Sequence, residues 1–248
     1  MKISIVTAAY NSAATIKDTI ESVLSQDYPD IEYIIADGGS KDGTVEILKS
    51  YGDKIKWVSE KDSGIYEAMN KGIKMTTGHA IGIMGSDDFY PNNQVISKVA
   101  KAFEESKADS VYGDLYYVEA EDTNKIVRNW KSGKYDRNRF LNGWMPPHTA
   151  FFLTKSAYDT YGLYDTSYRS AGDYELMLRM LFRHKLSSYN IPEVLMKMRV
   201  GGTGNASIKN RIIANKEDRK AWTDNSLEPR WYTLYAKPLS KVFQWILK

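Results

Sequence analysis

The sequence predicts a single α/β domain, a mostly parallel sheet flanked by helices, that carries a C-terminal helical extension. Three observations predict it. Over the first 114 residues, short apolar runs rich in β-branched residues alternate with helix-spaced apolar stripes, the signature of βαβ units. Each run stops at a turn or acidic cluster. From residue 205 onward the chain turns basic and aromatic.

Taken in order, Ile3–Ala8 is the first expected strand, and Ile16, Ile20, Val23 and Leu24 then recur on one face of a helix. Ile31–Asp37 is the second strand, followed by a shorter helix that carries Val45, Ile47 and Leu48 and is opened by Asp42. A third strand is expected at Ile55–Ser59 and a fourth at Ala80–Met84. After a helix striped by Val95, Ile96, Val99, Ala100 and Phe103, a fifth follows at Ser110–Tyr112. Beyond Gly113 the alternation stops. Tyr-rich, charged segments at Leu115–Val118 and Lys125–Trp130 read as a hairpin, and Gly143-Trp144-Met145-Pro146-Pro147-His148 as a loop. A strand at Thr149–Leu153, helices at Lys155–Tyr161 and Asp173–Phe182, and a strand at Val194–Arg199 ending at Gly201-Gly202 complete the domain.

With 248 residues, 42% hydrophobic and 26% charged, the chain has the composition of a globular protein and the length for one large α/β domain. It has no cysteine, which excludes disulfides, thiolate metal sites and cysteine nucleophiles. Its three histidines, His79, His148 and His184, cannot form a histidine-rich metal site, so any metal must rely on carboxylates. The apolar run at the N-terminus is too short for a signal peptide and no later stretch could span a bilayer, so the cytoplasm is the expected location. After residue 204 there are nine Lys/Arg against four Asp/Glu; that excess of five exceeds the net +3 of the whole chain and leaves −2 on the rest. No nucleic-acid partner is expected.

Five clusters fall where strands should end: Thr7-Ala8-Ala9-Tyr10-Asn11, Asp37-Gly38-Gly39-Ser40-Lys41-Asp42-Gly43-Thr44, Glu60-Lys61-Asp62-Ser63-Gly64, Ser86-Asp87-Asp88 and Gly113-Asp114. Ligands of open α/β sheets bind beyond the carboxyl ends of the strands, so acids there are placed for chemistry. Asp87 and Asp88 suit Mg²⁺ or Mn²⁺, which would hold a diphosphate; alternatively they cap the helix after Pro91. Asp37 is placed to accept from a base N–H, while Asp42 and Thr44 fit a helix cap. Neither G-x-G-x-x-G after the first strand nor a P-loop is present, so phosphate charge is left to a metal.

These clusters, with Asp62-Ser63-Gly64-Ile65-Tyr66-Glu67-Ala68-Met69-Asn70-Lys71-Gly72 and Gly172-Asp173-Tyr174-Glu175, resemble in their order the inverting GT-A glycosyltransferases of family 2. That group includes bacterial capsule, exopolysaccharide and O-antigen transferases, and the resemblance covers roughly the first 200 residues. It implies a Rossmann-like GT-A domain over residues 1–204, with a nucleotide-binding half (1–114), an acceptor-side half (115–204) and a basic aromatic extension (205–248). It implies that Thr7 and Asp37 hold uracil or another base, that Tyr10 and Asn11 shape the nucleotide pocket, that Asp87 meets the ribose or donor sugar, and that Asp88 binds Mn²⁺ or Mg²⁺. Because the motif is Ser-Asp-Asp, one carboxylate, diphosphate oxygens and waters would hold the metal. Asp173 occupies the position of the base that takes the proton of the acceptor hydroxyl; N-capping is its other reading. Asp62 and Lys71 are candidate clamps on the nucleotide or sugar, His148 lies near the diphosphate or acceptor, and Asp114 lines the donor-sugar pocket. For Lys71 a solvated surface role is the alternative.

The tail places Trp231, Tyr235, Leu239, Val242 and Ile246 on one helical face beside Arg230, Lys237, Lys241 and Lys248. That pattern suits an interfacial helix on anionic lipid, a docked helix or a homodimer contact. The implied function is transfer of a sugar from a UDP-sugar to a hydroxyl of a growing surface glycan or lipid-linked saccharide. Two rivals stand beside it: a catalytically silent sugar-nucleotide-binding module, and a nucleotidyltransferase.

Overall fold

The computed structural model describes residues 1–201 and 208–237. Eight strands form one sheet: β1 (Ile3–Ala9), β2 (Ile31–Asp37), β3 (Lys56–Ser59), β4 (Ala80–Gly85), β5 (Ser110–Val118), β6 (Ile126–Trp130), β7 (Phe151–Thr154) and β8 (Ser188–Arg199). Their order is β3-β2-β1-β4-β7-β5-β6, with β8 on the other edge of β5. The first four are parallel, β7 lies antiparallel between β4 and β5, and β8 is parallel to β5. Strand order reverses between β1 and β4. The crevice beyond their carboxyl ends is where a ligand of such a sheet binds.

Alternation along the strands feeds two cores. Ile3, Ile5, Tyr33, Ile35 and Met84 pack with α1 (Ile16–Leu24), α2 (Thr44–Ser50) and α4 (Val95–Ser106) on one face. Val6, Ala8, Ile34, Ala36, Ile81 and Ile83 pack on the other with α3 (Ile65–Lys74), α5 (Lys155–Tyr161) and α6 (Gly172–Met177). Gly72 lets α3 sit directly on β1, because a Cβ there would collide with Val6. A π-helical turn, Leu178–Arg183, continues α6.

The first four strands match expectation to within a residue or two. β5 does not. It runs through Gly113 to Val118, because Gly113 is a close approach to β8 rather than a strand end: a side chain there would strike Leu195, and the pairing of the two strands shifts register at this point. β8 likewise begins six residues before Val194.

The start of the expected extension belongs to the core. In α7 (Ile208–Asp224), Ala221 and Trp222 are fully buried, and Trp222 Nε1 donates to Tyr174 Oη at 2.9 Å. The following segment docks through Thr233 Oγ1 on the Leu141 carbonyl and Lys237 on Asp218 at 2.6 Å, with Trp231 (86% exposed) and Tyr235 (64%) facing outward. Leu239, Val242 and Ile246 lie outside the described residues. No helix among the described residues is long and apolar enough to cross a membrane.

At the opposite, amino-terminal edge of the sheet, Glu32 is buried and accepts from Ser4 Oγ, Lys56 Nζ, Thr77 N and Thr77 Oγ1 at 2.7–3.0 Å. Burial opposes its ionisation, but these donors outweigh burial and hold the carboxyl at about 2. Its folded value lies below its unfolded one, so its contribution is present above about pH 4.5 and is lost as pH falls toward 2. Glu32→Gln is therefore expected to lower stability at pH 7 by about 2 kcal/mol and to flatten the acid limb of a stability–pH curve. Urea titrations at pH 7 and pH 3 check this; parallel acid limbs in variant and parent would refute it.

Candidate active site

Beyond β1, β2 and β3 the loops interlock. Asn11, at φ 49°, accepts from Lys41 N at 3.0 Å and donates its own N–H to Ser40 Oγ at 2.7 Å. Asp42 ties the same loop to α2, accepting from Ala13 N and from Thr44 N and Oγ1. Asp37 is buried, and its carboxylate accepts from Gly39 N, Ser40 N, Ser40 Oγ and Ser59 Oγ. Those four bonds make it the organiser of its own loop. Asp62, only partly buried, lies against this loop: Gly64 N donates to its Oδ1, and its Oδ2 lies 2.6 Å from where a Cβ on Gly38 would stand. The Tyr10 ring also lies against Gly38, and Tyr10 is 66% exposed. Burial raises the Asp62 carboxyl above the ordinary value, against the Gly64 N–H.

Two residues expected here are elsewhere occupied. The side chain of Thr7 is fully buried, its hydroxyl 3.1 Å from Tyr33 Oη, because strand alternation puts Thr7 on the same face of β1 as Ile3, Ile5 and Ala9, which packs with Tyr33. Lys71 is held by Glu60, Glu67 and the Lys61 carbonyl at 3.1–3.4 Å, which braces the turn between β3 and α3.

At the end of β4, Asp88 is fully buried, and no partner among the described residues reaches its Oδ1. Its Oδ2 accepts only a long 3.3 Å bond from Gly85 N. A Cβ on Gly85 would stand 2.9 Å from Asp88 Oδ2 and 3.0 Å from Asp87 Oδ1, so this glycine makes room for both carboxylates. Burial first, and then the charge of Asp87, drive the Asp88 carboxyl well above its ordinary value; Arg199 opposes this. Arg199 donates to the Asp87 carbonyl at 2.7 Å and to Asp18. Neither aspartate caps α4, whose N-cap is Gln94. A buried, orphaned carboxylate oxygen at a strand end is what a hard divalent cation would satisfy. No group of three or more His, Asp or Glu gathers there among the described residues, so the protein's share of such a site is this one carboxylate with Asp87 beside it.

The other expected carboxylate, Asp173, lies at the start of α6. It is the second residue of α6, Ala171 is the N-cap, and the Asp173 side chain makes no cap bond, which decides against the capping reading. Tyr66 Oη instead accepts from Gly172 N at 2.9 Å and Asp173 N at 3.4 Å. Tyr66 stacks on Tyr164 with centroids 5.6 Å apart, and Asn70 clamps the Tyr164 backbone through two bonds of 2.8 and 2.9 Å. The Tyr164 hydroxyl meets His148 Nε2 at 2.6 Å. Burial lowers the His148 pKa and the Asp173 charge opposes the shift, so the ring is neutral at pH 7. Tyr117 joins the two halves: burial raises its pKa, Arg128 lowers it, and the charges of both Asp88 and Asp173 raise it.

A family model described as "Glycosyl transferase family 2" matches residues 4–162. The chain belongs to that family. It is a glycosyltransferase. It is 30% identical over 185 residues to a PGL/p-HBAD biosynthesis glycosyltransferase of Mycobacterium bovis, covering 71% of this chain and 68% of that one. Among solved structures it resembles S. aureus TarS (TM-score 0.71, 17% identity, 98% of this chain and 72% of that one). It also resembles a mannosyltransferase of Pyrobaculum calidifontis solved with GDP-Man and Mn²⁺ (TM-score 0.69, 16% identity, 99% and 72%). Those likenesses confirm the GT-A architecture.

In this glycosyltransferase Asp114 stands apart from the other acids. It lies within β5 rather than at its end, accepts from Ser132 N at 2.7 Å, and lines a polar cavity of about 430 Å³ with Asn92, Tyr116, Asn129, Lys131 and Glu193. None of Asp88, His148 and Asp173 lines that cavity. Tyr66, Asn70, Tyr117, Tyr164 and Arg199 were not singled out in the sequence. Tyr66 and Asn70 carried the one available signal, since both belong to the motif that follows Asp62.

Proposed function

We propose that the enzyme is inverting and metal-dependent, and that it moves a sugar from a nucleotide donor, UDP-linked, to a hydroxyl of a growing cell-surface glycan or lipid-linked saccharide. The observation that carries this is the orphaned, buried carboxylate of Asp88 at a strand end; with it stands Asp173, a carboxylate without a hydrogen-bond partner among the described residues, at a helix start, and the charges of both act on Tyr117. Tyr10 and Asp62 are placed for the base, as an aromatic face and an acceptor for a ring N–H. Asp37 supports them by holding its loop. Asp88 would hold Mn²⁺ or Mg²⁺ together with donor oxygens, and the ion would neutralise charge on the diphosphate.

Asp173 takes the proton from the acceptor hydroxyl as that oxygen bonds to the anomeric carbon from the face opposite the leaving group. The bond from that carbon to the diphosphate breaks, its electron pair leaves with the phosphate, and the anomeric configuration inverts. Neutral His148 keeps Tyr164 in place and adds no cation beside the base. TarS is known in complex with UDP-GlcNAc and the Pyrobaculum enzyme with GDP-Man and Mn²⁺; both support a nucleotide-sugar donor, and the second supports a divalent ion beside it. The exposed Trp231 and Tyr235 favour a peripheral contact on the inner face of the cell membrane or between two copies, compatible with docking of the opposite side of their segment.

A panel of UDP- and GDP-sugars, each with and without Mn²⁺, tests the reading by thermal shift and product analysis. One donor should raise the melting temperature only with metal, by mass action, and should release free nucleoside diphosphate. Binding without any release of diphosphate would favour the silent module, and pyrophosphate from a nucleoside triphosphate would favour the nucleotidyltransferase.

A further inference from the structure

We propose that Glu217, on α7, is the positioning residue for Asp173. The inference rests on the reading of Asp173 as the base. Glu217 Oε1 accepts from Arg169 N at 2.9 Å, and its Oε2 accepts from Ser170 N at 2.7 Å and Ala171 N at 2.8 Å. Tyr66 Oη takes the next two amides. Five consecutive N–H groups at the start of α6 therefore end on two side chains, one from α7 and one from α3. The last three, of Ala171, Gly172 and Asp173, are among the donors that a helix start leaves without intrahelical partners.

The same face of α7 grips the segment just before. Lys220 Nζ donates to Ser167 Oγ at 3.1 Å and lies 3.9 Å over the Tyr168 ring, while Asp224 accepts from Tyr168 Oη at 2.7 Å. Residues 217, 220 and 224 follow helical spacing, so one stripe of α7 holds residues 167–171. α7 lies beyond the residues 4–162 that the family model matches.

The consequence for chemistry follows from what Asp173 lacks. No hydrogen bond among the described residues orients its carboxylate, so its aim is set by the backbone of the loop and helix start. A misplacement of about 1 Å can cost about 10²-fold in rate, so loosening residues 169–171 should act on turnover before it acts on donor binding. A Gln at 217 replaces the carboxylate only in part, because its oxygen can still accept at one position while its NH₂ turns a donor toward a main-chain donor at the other.

Glu217→Ala and Glu217→Gln in the full chain test this, with amide exchange by mass spectrometry at residues 169–173. Donor affinity comes from calorimetry in Mn²⁺, and turnover from diphosphate release with water as acceptor, using the nucleotide sugar that stabilises the parent. Exchange at 169–171 should accelerate and turnover should fall by about 10–100-fold for Ala, with donor affinity within about twofold of the parent. If Glu217→Ala does not fold, Tyr168→Phe, which removes only the bond to Asp224, should show the same pattern at smaller size. Unchanged exchange at 169–171, turnover within about threefold of the parent, or donor affinity lost in step with turnover would overturn the proposal. Asp173→Asn separates the two readings. Turnover that survives it removes the base assignment, whereas exchange at 169–171 still reports whether Glu217 holds the loop.

Discussion

Replacing Asp173 by Asn is expected to leave the fold and donor affinity close to those of the parent and to cut turnover by about 10²–10⁴-fold, the usual cost of losing a general base. The fold should survive because Asp173 does not cap α6: the amides there end on Glu217 and Tyr66, and the Asp173 side chain makes no cap bond. What the substitution removes is the favourable placement of a negative charge in the first helical turn, worth about 0.3–1 kcal/mol. Donor affinity should survive because the groups proposed for base and diphosphate, Tyr10, Asp62 and Asp88, come from the ends of β1, β3 and β4. Diphosphate release, calorimetry with the donor and a thermal melt check the three parts. Near-normal turnover would remove the assignment, and the structure already narrows the succession. Glu175 is buried in a salt bridge to Arg179 with Asn225 against it, and Asp165 accepts from the Ser167 amide. His148 would be next.

The two sides of this site differ in how far local sequence revealed them. Asp88 stood out because an acid just past an apolar run has few packing explanations, and the first four strands were readable from their β-branched runs. Gly113 misled because a glycine before an aspartate has the composition of a turn, whereas its function here is to let Leu195 of β8 approach. Thr7 misled for a related reason: a polar residue near a strand end suggests the pocket, but its place in the alternation of β1 turns its hydroxyl to Tyr33. For Asp37, the sequence showed an acid at the right place and could not show that Ser40, Ser59 and two amides had already engaged it. The base side was legible only as a residue type. Whether Asp173 capped its helix depended on Glu217, from an expected extension, and on Tyr66, two elements with no local bearing on residues 169–173. Tertiary partners of that kind leave no periodicity to find.

Asp88→Asn should have an effect of comparable size and opposite character: loss of metal-dependent donor binding in a protein at least as stable as the parent. In the absence of metal the parent buries a carboxylate with one oxygen unpartnered and a second acid beside it, an arrangement that costs stability because neither charge nor proton is well solvated. The amide removes the charge and its repulsion with Asp87. Each kcal/mol so relieved should raise the melting temperature of the metal-free enzyme by about 2–4 °C. With Mn²⁺ present the order reverses. On the proposed metal role the parent should gain stability from donor and metal together, while the variant should lose the ligand that would join protein to ion to diphosphate. Its donor affinity should fall by more than about 100-fold, the upper end of what removing a mere supporting partner of a metal site costs. Melts with and without Mn²⁺ and donor, read beside calorimetry, separate the two terms. A variant that kept the parent's Mn²⁺-dependent donor affinity would move the metal assignment to Asp87. One that lost stability without metal would show that the Asp88 carboxylate is satisfied by the fold itself, and the argument from its orphaned oxygen would fail.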